Sequence, residues 1–289
     1  MRQLAVFSGK GGTGKTTLVA TFTHLAGQAV AVDCDVDAAN LAILLPGEDE
    51  PPRDFFAGEK AVIAADKCIG CGRCARVCRF DAIERAARTY KVLPLFCEGC
   101  HACDPACPTD AITYTPNKAG VWTRRRREGG WLIHAELGVA QDNSGKLVAH
   151  VREQARLTAR EAGIDLILVD GPPGIGCPAH AAMGDLSAAL IVTEPSVSGE
   201  HDLIRFLDTA ARFEVHPAVV VNKWDLSPEL TERIEAMCAE RGVPVLGRVP
   251  FDAAVPRLLT QGRLPLEAPA SPETISALRA IWERFSALD

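Results

Sequence analysis

Short apolar runs separated by amphipathic stretches occupy both ends of the chain. Residues 3–7 form one such run, followed by a glycine-rich segment and by a helical pattern that ends near Leu25. Further apolar runs predict strands at 28–32, 131–133, 166–169, 188–192, 218–221 and 243–246. Strands that alternate with helices are typical of a mainly parallel sheet with helices on both faces. The pattern therefore predicts an α/β fold.

The alternation stops between about Pro51 and Val121, where cysteine, glycine and proline are frequent and the apolar pieces are short. This segment repeats itself at an offset of 29 positions. The first copy contains Cys68, Cys71, Cys74, Cys78, Asp81, Ala82 and Ile83, and the second contains Cys97, Cys100, Cys103, Cys107, Asp110, Ala111 and Ile112. Such a repeat predicts two copies of one small α+β unit folded together. Because strands are predicted on both sides, we expect an insertion at 59–119 in a larger domain formed by 1–58 and 120–289.

Charge and hydropathy exclude several classes of function. The 289 residues carry a formal net charge of -6, which does not favour nucleic-acid binding. The basic run Arg124 to Arg127 is predicted to be a solvated loop, with a docking patch for an acidic redox partner as the alternative. The sequence lacks apolar stretches of about 18 residues and a signal-peptide pattern, so we expect a cytoplasmic protein without a membrane span. The last predicted helix, 271–288, has one apolar face and mixed charges, which favours packing on the core over membrane binding.

A phosphate-binding motif, G-x-x-x-x-G-K-[ST], lies between the first strand and the first helix, the position that this motif requires. Its glycines let backbone N–H groups surround phosphate oxygens at a helix N-terminus. Lys15 is expected to reach the outer phosphates, and the Thr16 hydroxyl is expected to bind Mg²⁺. The predicted phosphate-binding residues are Gly9, Lys10, Gly11, Gly12, Thr13, Gly14, Lys15, Thr16 and Thr17.

The early lysine of this loop gives the pattern K-G-G-x-G-K-T, which resembles the deviant P-loop of the MinD, ParA, Mrp and nitrogenase iron protein superfamily. The resemblance implies an ATP-dependent homodimer in which Lys10 reaches the partner's nucleotide. A solvated loop charge is the alternative for Lys10. The segment 33–40 resembles switch I of that family, and Asp35 would orient the attacking water. Asp33 or Asp37 could instead only cap the end of the strand.

Three further segments resemble nucleotide-binding elements of the same superfamily. Asp170 to Gly174 resembles switch II, which implies that Asp170 holds Mg²⁺ through water. Asn222 in N-K-W-D would recognise adenine, and the loop beginning at Pro250 would line the other side of the base. Guanine remains an alternative, because N-K-x-D also occurs in GTPases.

The spacing C-x2-C-x2-C-x3-C occurs twice and is typical of proteins with two [4Fe–4S] clusters. Three close thiolates hold one cluster and the fourth cysteine of each run ligates the other. The expected ligands are Cys68, Cys71, Cys74 and Cys107 for one cluster, and Cys97, Cys100, Cys103 and Cys78 for the other. A zinc site would use paired C-x2-C knuckles and would leave the last cysteine of each run unexplained. The segment resembles bacterial two-cluster ferredoxins, except that Arg79 follows Cys78 where the pattern has proline.

Three cysteines lie outside these runs. Cys34 and Cys238 are predicted to be small buried residues. Cys177 follows Asp170 by seven positions, the spacing at which the nitrogenase iron protein has a ligand of a cluster shared across its dimer axis. The resemblance makes Cys177 a candidate ligand or redox thiol, and a structural role is the slightly favoured alternative.

Together these features predict an ATPase with an inserted ferredoxin domain. The leading hypothesis is ATP-gated electron transfer to an unidentified partner through two [4Fe–4S] clusters, with ATP and Mg²⁺ as the other cofactors. A cluster carrier or scaffold of the Mrp type is the first alternative, and its partner would be a cluster-receiving protein. A MinD-like positioning or regulatory ATPase with a redox sensor is the second.

Overall fold

A computed structural model describes residues 1–213, 215–266 and 268–288. The chain divides into two compact units, which we call the core unit and the inserted unit. The core unit comprises Met1–Arg53, Val121–Leu137 and the residues from Ser144 onward. The inserted unit comprises Asp54–Gly120 and the short segment Gly138–Asn143.

The secondary structure follows the chain in regular alternation outside the inserted unit. The strands are β1 (Arg2–Ser8), β2 (Ala29–Asp33), β3 (Glu48–Asp49), β4 (Arg53–Ile63), β5 (Ile83–Ala86), β6 (Thr89–Val92), β7 (Ile112–Arg127), β8 (Gly130–Leu137), β9 (Leu166–Pro173), β10 (Ala188–Thr193), β11 (Pro217–Asn222) and β12 (Val245–Val249). The helices are α1 (Lys15–Leu25), α2 (Leu41–Leu44), α3 (Arg73–Val77), α4 (Ser144–Ala162), α5 (Cys177–Met183), α6 (Val197–Ala210), α7 (Pro228–Glu240), α8 (Ala254–Thr260) and α9 (Pro272–Ser286), with short 3-10 turns at Ala211–Phe213 and Trp224–Leu226.

The core unit is built on one sheet with the strand order β12-β11-β10-β1-β9-β2-β8-β7-β3. The strands from β12 to β8 in this order are parallel to their neighbours, and β3 pairs with β7 antiparallel. Leu4 of β1 is in register with Leu168 of β9 on one side and with Ala188 of β10 on the other. The prediction of an α/β fold with a mainly parallel sheet is confirmed.

Alternate residues of β1 pack against helices on opposite faces of the sheet. Leu4 belongs to the hydrophobic cluster formed with α1 and α9. Phe7 points to the other face, where its ring lies 5.1 Å from that of Phe206 in α6. Helix α9 buries Leu278 and Phe285 in the core, which confirms that its apolar face packs on the protein. Among the described helices, none is long and apolar enough to cross a bilayer.

Two expectations of local structure are wrong. Arg124 to Arg127 form the end of β7 rather than a solvated loop. Arg125 pairs with Asp49 at 2.7 Å and Arg124 pairs with Glu161 at 2.9 Å, so two of the four arginines are paired with carboxylates. The last strand begins at Val245, two positions later than predicted, because Gly242 has a φ of 67° and Pro244 has no N–H to donate.

The inserted unit consists of the two copies of the repeat, and each copy donates the same backbone hydrogen bond to the other. The Ala64 N–H donates to the Ala111 carbonyl at 2.8 Å, and the Leu93 N–H donates to the Ala82 carbonyl at 2.7 Å. Leu93 occupies the position of the second copy that corresponds to Ala64 in the first, 29 residues earlier. Ala111 corresponds in the same way to Ala82. Strand β4 pairs with β7, and β5 pairs antiparallel with β6. The sequence repeat is therefore also a structural repeat.

The glycines of the cysteine loops follow the same symmetry. Gly70 and Gly99 both have positive φ angles, 69° and 60°. A Cβ at Gly70 would meet the Arg88 carbonyl oxygen at 2.3 Å, and a Cβ at Gly99 would meet that of Glu59 at 2.2 Å. These close approaches to backbone, each made to the other copy, require glycine. Both loops are thus fixed by the packing of one copy on the other.

Candidate functional site

The predicted phosphate loop leaves β1 at Ser8 and enters α1 at Lys15. Gly12 and Gly14 adopt φ angles of 79° and 94°, which L side chains rarely adopt. A Cβ at Gly14 would also lie 2.5 Å from the Asn222 Nδ2. The loop therefore folds as the motif requires, with its backbone N–H groups at the N-terminus of α1.

Lys15 pairs with Asp170 of β9 at 2.5 Å, and both side chains are buried. Burial acts to lower the pKa of Lys15, but the charge and hydrogen bond of Asp170 outweigh it and keep this pKa above its ordinary value. The Asp170 Oδ2 is buried and has no hydrogen-bond partner among the described residues. The Thr16 hydroxyl lies 3.4 Å from the same Lys15 amine, and a carboxylate and a hydroxyl oxygen fit the oxygen chemistry of a hydrated Mg²⁺.

Asp33 organises the predicted switch I segment. Its carboxylate accepts hydrogen bonds from the N–H groups of Asp35, Asn40 and Leu41 at 3.0, 3.1 and 3.0 Å. Burial, together with the nearby charge of Asp170, raises the pKa of Asp33 to about 7. Asp33 therefore acts as the strand-end cap that the sequence left as an alternative.

Asp35 follows β2 and is only partly buried. Burial raises the pKa of Asp35, and the charge of Lys15 opposes this shift. The structure thus brings Asp35, Lys15 and Asp170 to the same edge of the sheet, the ends of β2, β1 and β9. A partly exposed carboxylate at this edge is placed where it could hold a water molecule against a terminal phosphate.

Lys10 contacts its own chain. Its Nζ lies 2.5 Å from the Glu194 Oε1, and the hydroxyls of Ser196 and Ser198 lie 3.4 and 3.2 Å from the same amine. Lys223 pairs with the other oxygen of Glu194 at 3.2 Å. Burial acts to raise the pKa of Glu194, but the two lysines outweigh it and lower this pKa.

A mainly apolar cavity of about 190 Å³ adjoins the phosphate loop in the core unit. It is lined by Gly12, Gly14, Thr17, Leu18, Asn222, Lys223, Val249, Pro250, Phe251, Asp252, Val255, Pro256, Leu259, Pro265, Thr274 and Leu278. Asn222 donates from Nδ2 to the Thr13 carbonyl at 2.7 Å, so it also anchors the phosphate loop. The predicted base-recognition residues Asn222 and Pro250 therefore meet at one cavity beside the predicted phosphate site.

The cysteines of the inserted unit accept hydrogen bonds from backbone N–H groups. The Ala61 N–H donates to the Cys97 Sγ at 3.4 Å, and the Ala111 N–H donates to the Cys107 Sγ at 3.3 Å. Burial acts to raise the pKa of the Cys107 thiol, but this hydrogen bond and those around Thr109 lower it. Donors aimed at sulfur stabilise a thiolate, which is the form that binds metal.

Equivalent cysteines of the two copies are buried to a similar degree, except that Cys68 is half-buried and Cys97 is buried. Cys74 and Cys103 are buried, whereas Cys71 and Cys100 are exposed. The second copy has an added contact, because the Tyr114 hydroxyl lies 3.6 Å from the Cys103 Sγ.

Groups of three or more His, Cys, Asp or Glu side chains placed around a single metal ion are absent from the described residues. This finding is not a test of the predicted clusters. A four-iron cluster takes one thiolate on each of its irons, so its four sulfurs surround a larger volume than the ligands of one ion. The N–H···S contacts and the reciprocal loops fit such a cluster.

A family model for the CobQ/CobB/MinD/ParA nucleotide binding domain matches residues 4–266 of the chain. The chain belongs to this family. The match covers the phosphate loop, the predicted switch segments and most of the residues that line the cavity, and it also spans the inserted unit.

The chain is also similar to individual proteins. The chain is 34% identical to an uncharacterised protein of Methanocaldococcus jannaschii over 260 residues, covering 89% of this chain and 87% of that protein. The septum site-determining protein MinD of Pyrococcus horikoshii, solved in complex with Mg-ADP, has a TM-score of 0.61 and 20% identity, and the match covers 99% of this chain and 96% of that chain. Ferredoxin-3 of Nostoc is 34% identical over 73 residues, a partial match that spans 19% of this chain and 75% of the ferredoxin.

The three cysteines outside the runs fall into two groups. Cys34 and Cys238 are fully buried, as predicted. Burial raises the pKa of Cys34 far above its ordinary value and that of Cys238 to about 11, so both thiols stay protonated. Cys177 is exposed and begins α5 just after the predicted switch II. Its proposed roles as a ligand or redox thiol stay predictions.

Sequence reasoning missed Glu194 and Lys223. Glu194 follows β10, which lies between β1 and β11 in the sheet, so it falls between the loop residue Lys10 and the strand-end residue Lys223. The order of the strands in the sheet would have pointed to Glu194, because the carboxyl ends of neighbouring parallel strands meet at one edge.

Proposed function

We propose that the core unit binds and hydrolyses ATP and works as a nucleotide-driven switch of the MinD and ParA type. The observation that supports this most is the convergence of Lys15, Asp170 and Asp35 at the phosphate loop, with an adjoining cavity for a base. Membership of the family supports the same assignment.

The chemistry follows from the positions of these side chains. The ammonium group of Lys15 would leave Asp170 to bind the outer phosphates, where it stabilises the charge that develops in phosphoryl transfer. Thr16 and Asp170 would hold Mg²⁺, which neutralises phosphate charge when bound. Asp35 would orient the attacking water, and the bonds that Asp33 accepts fix the backbone on either side of it.

Adenine is the base that we propose for the cavity. In a guanine site, the aspartate of N-K-x-D would have to face the base. Here the Asp225 Oδ1 accepts the Phe251 N–H at 2.6 Å, and Asp225 is not among the described residues that line the cavity. Asp225 therefore holds the loop at Phe251, which lines the cavity, and does not itself face the base.

We further propose that two subunits close over ATP and that Lys10 reaches the nucleotide of the partner. The Lys10→Ala variant is expected to bind ATP as a monomer with nearly unchanged affinity and to lose ATP-dependent dimerisation. The reason is that this amine would contribute its charge only across the interface. Sedimentation velocity with and without ATP measures dimerisation, and a fluorescent ATP analogue measures binding.

The control is Arg233→Ala, which also removes one positive charge, from an exposed ion pair with Glu200. This variant should dimerise like the parent protein. A Lys10→Ala protein that dimerises and hydrolyses ATP like the parent would show that Lys10 is only a loop charge.

A second function is proposed for the inserted unit, which we infer holds two [4Fe–4S] clusters that pass electrons to a partner protein. The two predicted sets of four cysteines, together with the N–H donors aimed at Cys97 and Cys107, support stable retention of the clusters. The partial match to a ferredoxin supports the same interpretation. A cluster carrier should release its cargo readily, so retention favours electron transfer or redox sensing over a carrier of the Mrp type.

A further inference from the structure

The contact between Lys10 and Glu194 occupies the amine to which the proposed function gives a role in a second subunit. The two atoms lie 2.5 Å apart, and the side chains are 33% and 21% exposed. With the hydroxyls of Ser196 and Ser198 at 3.4 and 3.2 Å, each of the three N–H groups of this amine has a partner within its own chain. The ion pair must therefore open before Lys10 can contribute to a dimer.

Glu194 is held in place by the first turn of α6. Its carbonyl accepts the Ser196 N–H at 2.8 Å, and the Ser196 hydroxyl accepts the Gly199 N–H at 3.0 Å. A Cβ at Gly199 would approach the Glu194 carbonyl to 2.3 Å, so the turn packs closely on this residue. The carboxylate thus projects from a fixed piece of backbone.

The other end of the ion pair is equally anchored. The Ser8 hydroxyl donates to the Lys10 carbonyl at 2.8 Å, which fixes the start of the phosphate loop. Lys223 binds the second oxygen of Glu194, and its amine also donates to the Gly12 carbonyl at 3.3 Å. The carboxylate of Glu194 therefore links Lys10 of the phosphate loop to Lys223 after β11, and Lys223 in turn contacts the loop at Gly12.

From this geometry we propose that Glu194 is a positioning residue that latches Lys10 and Lys223 in cis and so opposes closure of the dimer until ATP is bound. The triphosphate bound to the partner subunit competes with the carboxylate for Lys10, because both are anions that pair with ammonium groups. Opening the latch then releases Lys10 toward the partner subunit. This inference rests on the proposed dimer, but the latch itself is a property of one chain.

The test uses Glu194→Gln, which keeps the size and hydrogen-bonding capacity of the side chain and removes its charge. Without nucleotide, competitive acetylation followed by mass spectrometry should show Lys10 and Lys223 reacting about two- to fivefold faster than in the parent, the range of a partly exposed ion pair. Lys146, an exposed lysine of α4, should react at an unchanged rate. Glu194→Asp, whose shorter side chain cannot bridge both amines, should give an intermediate result.

The second arm measures the ATP concentration that gives half-maximal dimerisation. We expect Glu194→Gln to lower it about two- to fivefold. Glu200→Gln, which removes the carboxylate of α6 that pairs with Arg233 of α7, should leave it unchanged. Unchanged acetylation of Lys10 would overturn the latch, and so would a higher ATP requirement, because Glu194 would then support the dimer. If the parent protein failed to dimerise with ATP, the proposed function would be wrong. The acetylation rates would still show whether Glu194 holds Lys10 and Lys223 in one chain.

Discussion

Replacement of Lys15 by alanine is expected to lower the rate of ATP hydrolysis by about 10²- to 10³-fold, the usual cost of removing one preorganised group that stabilises transition-state charge. Lys15 opens α1 and is held beside Asp170 at the end of the neighbouring strand β9. Its ammonium group is therefore positioned for the outer phosphates before ATP arrives. Phosphate release under saturating ATP and Mg²⁺ measures the effect.

The loss of Lys15 also leaves the carboxylate of Asp170 buried without its partner, which can destabilise a protein by several kcal/mol. Lys15→Arg separates the two effects, because it keeps a positive charge against Asp170 but cannot place a compact ammonium group on the phosphates. This variant should keep the thermal unfolding midpoint near that of the parent and still lose hydrolysis. Normal turnover in a folded Lys15→Arg protein would contradict the phosphate-site assignment.

Protein purified without oxygen is expected to contain about eight iron and eight sulfide per chain, the content of two [4Fe–4S] clusters. Cys74→Ala should lower this content to about four of each or less, because Cys74 belongs to one predicted ligand set. The physical reason is that each [4Fe–4S] cluster is held by four thiolates, and the substitution leaves one iron of the cluster without its cysteine ligand. Iron and acid-labile sulfide assays measure the content.

Two other cysteines supply matched controls for this experiment. Cys238→Ala removes a buried thiol and Cys177→Ala removes an exposed one, both outside the cysteine runs. Neither change should alter the iron content of the monomer. Zinc without iron, after anaerobic expression and reconstitution, would show that the cysteine runs hold a different metal.

The sequence predicted the parts of the site that depend on local backbone chemistry. The phosphate loop was predictable because Gly12 and Gly14 allow positive φ angles at fixed spacing before a helix. The repeat of the inserted unit was predictable because its cysteines recur at one offset. In both cases a local sequence pattern was enough to locate the element, and contacts with Asn222 and between the two copies complete its conformation.

Features that depend on contacts between distant segments could not be predicted in this way. Glu194 reaches Lys10 only because β10 lies next to β1 in the sheet. The basic run at the end of β7 was expected to be a loop, since four successive arginines do not show the pattern of a half-buried strand. Pairing of Arg125 with Asp49, 76 positions earlier, makes a strand possible there.

The proposed switch and the inserted unit are connected through the backbone. The Leu137 N–H donates to the carbonyl of Val36, in the switch I segment, at 3.0 Å. The next residue, Gly138, belongs to the inserted unit and donates its N–H to the Ala119 carbonyl at 2.8 Å. The movement of switch I that the proposed function requires would act on Leu137, which the backbone joins directly to the inserted unit.

Redox titration of the iron-loaded protein, followed by electron paramagnetic resonance with and without a non-hydrolysable ATP analogue, tests this coupling most directly. A coupling free energy of about 1–3 kcal/mol would shift a one-electron potential by about 40–130 mV. By linkage, a shift to higher potential requires that ATP bind the reduced protein more tightly, and a shift to lower potential requires the reverse. Asp35→Ala with ATP should give the same shift as the analogue. Identical titration curves in every nucleotide state would contradict a nucleotide switch that acts on the cluster potentials.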